Sequence, residues 1–396
     1  MPRGGATTRC SGQSSGGCPT AVRRAGPPRR NRDADGARRT GILDPLGPRL
    51  RSVSENPRAR LADIAEQAGV SEATVSRVLN DRPGVSSTTR QAVLTALDVL
   101  GYERPIRLRG QSGLVGLIVP ELENPIFPAF AQVMETLLAQ YGYTPVLCTQ
   151  TPGGVTEEEY VDLLLDRGVA GIIFVSGLHA DATADHASYR ALVERGLPVV
   201  FVNGYAEGIG APFVSDDDAA AMDLAVTHLA SMGHRRIGLA VGPARFVPVV
   251  RKRAGFVAAM AKATGMGEDD AAGLVAHSLF TVEGGQAAAH HLLGLGVTAI
   301  VCGSDLMALG AIRTIRQRGL RVPEDVSVVG YDDSRLIAFT DPPLTTVRQA
   351  VNAMGTAAVQ ALLDGINGTP APQDEFVFRP ELVVRSSTGP APRPGE

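Results

Sequence analysis

The sequence is poor in cysteine: Cys10, Cys18, Cys148 and Cys302 are scattered over 396 residues, with no C-x-x-C pair among them. That spacing argues against a disulfide framework and a structural zinc site, and leaves reduced thiols as the default. No apolar run approaches the ~20 residues of a membrane-spanning helix. The early arginines are not followed by the roughly 7 to 15 apolar residues of a signal peptide, so a soluble, cytoplasmic protein is expected. There is no G-x-S-x-G, no Walker A loop and no G-x-G-x-x-G after a strand. His290 and His291 are adjacent, so on a helix they point to different faces and lack metal-ligand spacing. No short repeat period is present. No metal and no cofactor is expected, and enzymatic chemistry has no visible nucleophile.

What is present is unevenly charged. The net charge of −3 hides 13 arginines and no lysine against 4 acidic residues in positions 1–60, a net of +9. The remainder carries 25 basic and 37 acidic residues, a net of −12. With 44% hydrophobic residues and 45 glycines, the length suggests two or three domains with a large α/β core. Residues 1–58 are rich in Gly, Arg, Pro, Ser and Thr without periodicity, so they bury too little to offset their ordering entropy and are expected to be disordered. They read either as an idle extension from an upstream start or as a nonspecific attraction for phosphates.

The stretch Leu61 to Asn80, LADIAEQAGVSEATVSRVLN, reads as two short helices joined by a tight turn. Leu61, Ile64, Ala65 and Ala68 recur at helical spacing. Gly69 takes the turn, because it adopts positive φ without steric cost. Ser71 offers an oxygen to cap a second helix, whose apolar stripe is Val75, Val78 and Leu79. Glu72, Ala73, Thr74, Ser76, Arg77 and Asn80 remain on the outward face, needed by no core. An ordinary αα-hairpin would look similar, but so would a helix-turn-helix, whose second helix enters the DNA major groove. The continuation, DRPGVSSTTRQAVLTALDVLGY, favours the latter. Ser86 caps a third helix to about Leu100, with Val93, Leu94, Leu97 and Leu100 as its buried stripe, and three such helices close one small core.

Residues 61 to 102 resemble the DNA-binding headpiece of the LacI/GalR-type bacterial regulators, and the run GVSEATVSRVLNDRPGVSSTTRQAV carries the likeness residue after residue. The resemblance implies Glu72, Ala73 and Arg77 near base edges. Ser71, Thr74, Ser76, Asn80, Ser86 and Thr89 would bond phosphates and set register. Glu72 can accept from a cytosine amino group, and Ala73 can touch a thymine methyl. Arg60 stands where the family has a threonine cap, at a cost of about 1 kcal/mol to the first helix. Glu103 to Ser112, ERPIRLRGQS, is a basic linker. In the family it forms a hinge helix whose leucine wedges into the minor groove. Here it is about four residues shorter, contains Pro105, and offers Leu108 as the wedge.

From Gly113 short apolar strands alternate with helices. The strands read at 114–120, 145–150, 169–176 and 198–203, then at 236–242, 274–279, 299–305 and 326–333. Such runs fit strands buried on both faces of a parallel sheet. Helices read at Pro128 to Tyr141 and at Glu157 to Arg167, the second opened by Thr156 and three glutamates that complement the helix dipole. Two successive arrays predict two doubly wound lobes. Pro342 to Arg348, with a helix near Asn352 to Leu363, would return to the first lobe. This plan resembles the type I periplasmic-binding-protein fold, the effector domain of the same family. Its motifs are NPIF (124–127), GHRRIGLA (233–240), SDLMALGA (304–311), RVPEDVSVVGYDD (321–333) and DPPLTTVRQ (341–349). The expected organisation is a disordered extension at 1–58, a helix-turn-helix domain at 59–102 and a hinge linker at 103–112. A two-lobed ligand-binding and dimerisation domain follows at 113–386, then a disordered tail at 387–396.

In open α/β sheets ligands bind beyond the carboxyl ends of the strands. Asn203, Ser304, Asp305, Asp332 and Asp333 sit at such ends, and short polar side chains suit a polyhydroxylated ligand. They suit helix caps and turns as well. The cap reading is preferred for Asp305 and Asp333. For Asn203 and Asp332 the resemblance implies ligand contact. It also implies apolar walls at Ile126 and Phe127, and hydrogen-bonding groups at Ser304 and Gln349. The family's arginine, three residues before the glycine of R-x-x-G-F, is replaced by Lys252, a point charge without the bidentate fork of arginine, with Arg251 beside it. Phe246 fits either the pocket or the core, and His234 is read as loop support.

The expected protein is therefore a sequence-specific regulator, a repressor, acting as a homodimer or tetramer on double-stranded operator DNA. A sugar or nucleobase-like effector between the lobes would control it. A solute-binding protein would have no use for the headpiece. A sugar- or nucleotide-acting enzyme would need chemistry that the sequence does not display.

Overall fold

A computed structural model describes residues 61–79, 84–100, 113–150, 153–369 and 372–393. The extension 1–58, Arg60, Asn80 and the linker 103–112 with Leu108 lie outside the described residues. What is described falls into two compact units, separated in the chain between Arg104 and Pro105.

The first unit holds α1 (Leu61–Ala68), α2 (Glu72–Leu79) and α3 (Ser87–Val99). Gly69 turns the chain between α1 and α2 at φ +64°, the left-handed geometry that a side chain would resist. Ile64, Ala65, Val75, Val78, Val93, Ala96 and Leu97 form its core. Leu61, read as part of the apolar face, is instead exposed at the first position of α1.

The second unit is two lobes, each a twisted α/β layer. The first lobe runs β1 (Leu114–Val119), α4 (Ile126–Gln140), β2 (Thr144–Thr149), α5 (Glu157–Asp166), β3 (Gly171–Val175), α6 (Ala187–Glu194), β4 (Val199–Val202) and β5 (Phe213–Asp216). The second runs α7 (Asp218–Ser231), β6 (Ile237–Val241), α8 (Val247–Thr264), α9 (Glu268–Ala272), β7 (Val275–His277), α10 (Val282–Gly294), β8 (Ala299–Cys302), α11 (Asp305–Gln317), β9 (Ser327–Asp332) and β10 (Thr345–Arg348). Then α12 (Val351–Ile366) and β11 (Glu375–Phe378) complete the first lobe, and β12 (Glu381–Val383) the second. The strand orders are β11-β5-β4-β3-β1-β2 and β12-β10-β9-β8-β6-β7, parallel throughout except for β12. Central strands such as β3 and β8 are wholly buried, as the continuous apolar runs require.

Capping chemistry sets several helix starts. At α5, Thr156 accepts from the Glu159 N–H at 3.2 Å, while the Glu159 carboxylate accepts from the Thr156 N–H at 2.8 Å, a reciprocal capping box. The return to the first lobe differs from expectation. Thr345–Arg348 pairs with β9 in the second sheet, and the chain crosses back only from α12, which joins Met354, Ala358 and Leu362 to the core that holds Phe130 and Met134 of α4. The tail read as disordered from 387 is also corrected. The Val328 N–H donates to the Ser387 carbonyl at 2.8 Å, Ser387 and Thr388 are buried, and Ala391 bonds to Met232. Prolines 390 and 392 disguise a segment that satisfies the backbone of β9. Three short strands, β5, β11 and β12, escape the sequence reading, being three or four residues long with charged ends.

The chain passes between the lobes at Asp217, again between Arg348 and Val351, and again between Phe378 and Glu381. Among the described residues no helix is long and apolar enough to cross a membrane.

Candidate functional site

Two sites emerge, one in each unit. In the first, Val75 and Val78 anchor α2 in the core, and Glu72, Ala73 and Arg77 are exposed on its other side. Thr74 and Ser76 are half-buried at its edges. Ser71 caps α2: its oxygen accepts from the Thr74 N–H at 3.3 Å. Ser86 caps α3 in the same way through Thr89, at 3.1 Å. Ser71, Thr74, Ser86 and Thr89, nominated for phosphates, thus stand at two helix N-termini, where free N–H groups and the dipole favour an anion. Asn80 and Leu108 lie outside the described residues.

In the second unit the carboxyl ends of both sheets face each other across a crevice of about 240 Å³, near the lower end of small-molecule sites. It lies at the switch points of both sheets, between β1 and β3 on one side and β6 and β8 on the other. Ile126, Phe127, Asn203, Lys252, Ser304, Asp332 and Gln349 all line it, although they come from six separate chain segments. Arg251 does not. It turns away to form a two-pronged ion pair with Glu375, at 2.6 and 2.9 Å, because successive residues of α8 point in different directions. Phe246, left open between pocket and core, lines the crevice with Phe280, the ring centroids 6.5 Å apart.

The backbone is strained where the site is built. Of the four described non-glycine residues with positive φ, Ser176, Asn203 and Asp332 line the crevice, and the fourth is Asp333. Such conformations persist where the surroundings over-determine them. Ser304 caps α11 through the Met307 N–H at 3.2 Å, which still leaves its hydroxyl proton to donate. Asp305 accepts from the Thr346 hydroxyl and the Ser334 N–H, both at 2.7 Å, and Asp333 pairs with Arg348 and Arg385. Both serve the framework. His234 is buried among Thr298, Ser327 and the Gly389 carbonyl, holding the loop as read.

Carboxylates dominate the polar floor. The chain's only two lysines are Lys252 and Lys262, and Lys252 is buried, bonded to the buried Asp218 and 4.0 Å above the Tyr331 ring. Burial pushes the Asp218 carboxyl up even against the pull of that lysine. The Tyr331 hydroxyl reaches across the lobes to donate to Asp216 at 2.6 Å. Burial raises the Asp216 pKa to about 7, and burial with the nearby Asp305 charge holds Asp332 well above its ordinary range. Gln349 donates to Asp332 at 2.7 Å. After these bonds, Asp216 Oδ1, Asp332 Oδ2 and Gln349 Oε1 remain buried without a partner, as does the Ser215 hydroxyl. Such acceptors are costly unless something donates to them. Asp216 and Tyr331 were missed in the sequence, the first because β5 was unrecognised and the second because nothing separates it from a core tyrosine.

The lobes are also tied at the mouth of the crevice. Asp181 of the first lobe pairs with Arg245 of the second at 2.7 Å, and the Ala182 N–H donates to the Arg245 carbonyl at 2.9 Å. Among the described residues no cluster of His, Cys, Asp and Glu has the geometry to hold a metal ion.

Comparison with known proteins follows this division. Residues 60–104 match the family model described as bacterial regulatory proteins, lacI family. Residues 226–388 match the periplasmic binding protein-like domain. The HTH-type transcriptional regulator MalR of Streptomyces coelicolor is 67% identical over 335 residues, covering 84% of this chain and 97% of its own. Among solved structures, the transcriptional regulator CelR–cellobiose complex is 34% identical with a TM-score of 0.62, covering 83% of this chain and all of that one. The lac repressor dimer bound to operator and the anti-inducer ONPF is 29% identical with a TM-score of 0.60, covering 84% and 99%. These relatives are transcriptional regulators rather than enzymes.

Proposed function

The chain belongs to the LacI family of bacterial transcriptional regulators, and from that membership we propose that it represses transcription as a homodimer on a pseudo-palindromic operator. A small hydroxyl-rich molecule, a sugar, bound in the crevice sets its operator affinity. The observation that carries the ligand half is the set of unpartnered buried acceptors, Asp216 Oδ1, Asp332 Oδ2 and Gln349 Oε1. Sugar hydroxyls donate in fixed directions and would satisfy them. Phe127, Phe246 and Phe280 supply apolar surface for the faces of a sugar ring. The solved relatives include one with cellobiose and one with operator DNA and an anti-inducer, which supports both halves.

For DNA, Glu72, Ala73 and Arg77 are the residues placed to read bases from α2, with Ser71, Thr74, Ser76, Ser86 and Thr89 on phosphates. One headpiece reads few base pairs, so two copies are needed for affinity and half-site spacing. Leu336 and Phe339, 76% and 85% exposed, are apolar surface of the kind that a dimer covers. A role on chromosomal operators supports a cytoplasmic protein.

Ligand between the lobes would favour one closure state, and operator affinity would follow whichever state it prefers. A thermal-shift screen of neutral sugars and free nucleobases, followed by gel shift on a palindromic site near its own gene, tests this. A sugar that raises the melting temperature and changes operator occupancy is expected. Stabilisation by nucleobases alone would overturn the sugar assignment.

A further inference from the structure

The crevice displays an acceptor-rich chemistry that goes beyond a general fit to sugars. Four unpartnered buried groups line it: the Ser215 hydroxyl, which can donate or accept, and three oxygens of Asp216, Asp332 and Gln349, two of them from carboxyl groups. Asp216, Asp332 and Gln349 are each less than a tenth exposed and line the cavity. The one lysine among the lining residues is already engaged, its ammonium bonded to Asp218 and seated on the Tyr331 ring. No arginine lines the cavity, since Arg251 is held by Glu375 outside it and Arg245 by Asp181 at its mouth. A neutral hydroxyl can donate to every one of the unpartnered oxygens. A phosphate brings only acceptors at neutral pH, except when singly protonated, and would have to break the Lys252–Asp218 pair while facing Asp216 and Asp332.

We infer that the crevice selects uncharged sugars against their phosphate monoesters, and that Asp216 is the principal discriminating residue. This rests on the sugar assignment proposed above. Asp216 suits that part by position. It lies where β5 leaves the first lobe, two residues before Asp218 begins α7 of the second, and its other oxygen is fixed by Tyr331 across the crevice. A ligand that closes the lobes therefore brings its substituents against Asp216 from both sides. Burial holds the Asp216 carboxyl near neutrality, at about 7, so a mildly alkaline solution makes it an anion and sharpens the discrimination.

The test uses the full-length protein and matched pairs: glucose and glucose 6-phosphate, ribose and ribose 5-phosphate, cellobiose and its 6′-phosphate, titrated calorimetrically at pH 8. For each pair whose neutral member binds, the phosphate is expected to bind at least roughly a hundredfold more weakly, the effect of juxtaposed like charges. Asp216→Asn, which keeps shape and removes charge, should narrow that ratio about tenfold by improving the phosphate. Equal or tighter binding of a phosphate to the unaltered protein overturns the selectivity. A ratio unmoved by Asp216→Asn, in a variant that still binds the neutral sugar, overturns the assignment to Asp216. Failure of both members of every pair overturns the sugar reading itself, and the inference with it.

Discussion

The outer face of α2 and the crevice between the lobes present polar groups in opposite ways. On α2 the apolar and polar faces are separate: Val75 and Val78 hold the helix, and Glu72, Ala73 and Arg77 take no part in the core. In the crevice the presenting groups are themselves structural. Asp216 and Tyr331 join the lobes, Lys252 neutralises Asp218, and Gln349 restrains Asp332. A surface reader can change its specificity without endangering its fold. A buried floor cannot, because Tyr331, Lys252 and Gln349 are each also bonded to another buried acidic side chain.

That contrast can be broken at several points. The largest effect is expected from Arg77→Ala, which should abolish specific operator binding in gel shift while leaving the melting temperature within about 1 °C. Two copies are lost per dimer, each worth about 1–3 kcal/mol of base discrimination. Normal binding by this variant would sink the assignment of α2. Lys252→Ala comes next. Removing the cation strands a buried carboxylate and should cost about 3–5 kcal/mol of stability by denaturant unfolding, together with ligand response. Here function and fold fall together, as they do not at Arg77.

Asp216→Asn should move stability the other way. A carboxyl raised to about 7 from an ordinary value of 3.8 holds a proton in the folded state that the unfolded chain has released. Stability from this group therefore falls as pH rises through the window from about 4 to 7. The variant, locked in the neutral form, should melt higher than the parent at pH 8 by the equivalent of about 1–3 kcal/mol, and the gap should close towards pH 5. Calorimetric melts at the two pH values check it, and a pH-independent difference would refute it. The smallest effect is expected at the mouth, where half of the Arg245 side chain is exposed. Arg245→Ala should cost under about 1 kcal/mol. Its change in ligand affinity should shrink at 0.5 M salt, since an exposed pair is screened.

Legibility in the sequence tracked the same division. The helix-turn-helix was readable because its signals are local: Gly69 for the turn, Ser71 and Ser86 for caps, valines at helical spacing. Long central strands were readable from unbroken apolar runs such as AGIIFVS. Strands β5, β11 and β12 were not, since three or four residues carry too little pattern and their burial comes from neighbours far along the chain. Residues at the ends of recognised strands, Asn203, Ser304 and Asp332, reached the crevice by position alone. Arg251 and Lys252 show the limit. One side chain faces the crevice and the other an ion pair with Glu375, a choice set by the rotation of α8 about its axis.

The sequence by itself determined the alternation of elements, the helix caps, the two-unit plan and the residue types at the strand ends, because each depends on interactions within a few residues. Only the tertiary structure decided which carboxylates would share a buried floor, which cation would be spent on neutralising them and which oxygens would be left to a ligand. Those outcomes depend on groups up to 115 positions apart, as with Tyr331 and Asp216. The charge and hydrogen-bonding balance of a crevice is a sum over neighbours that only folding brings together.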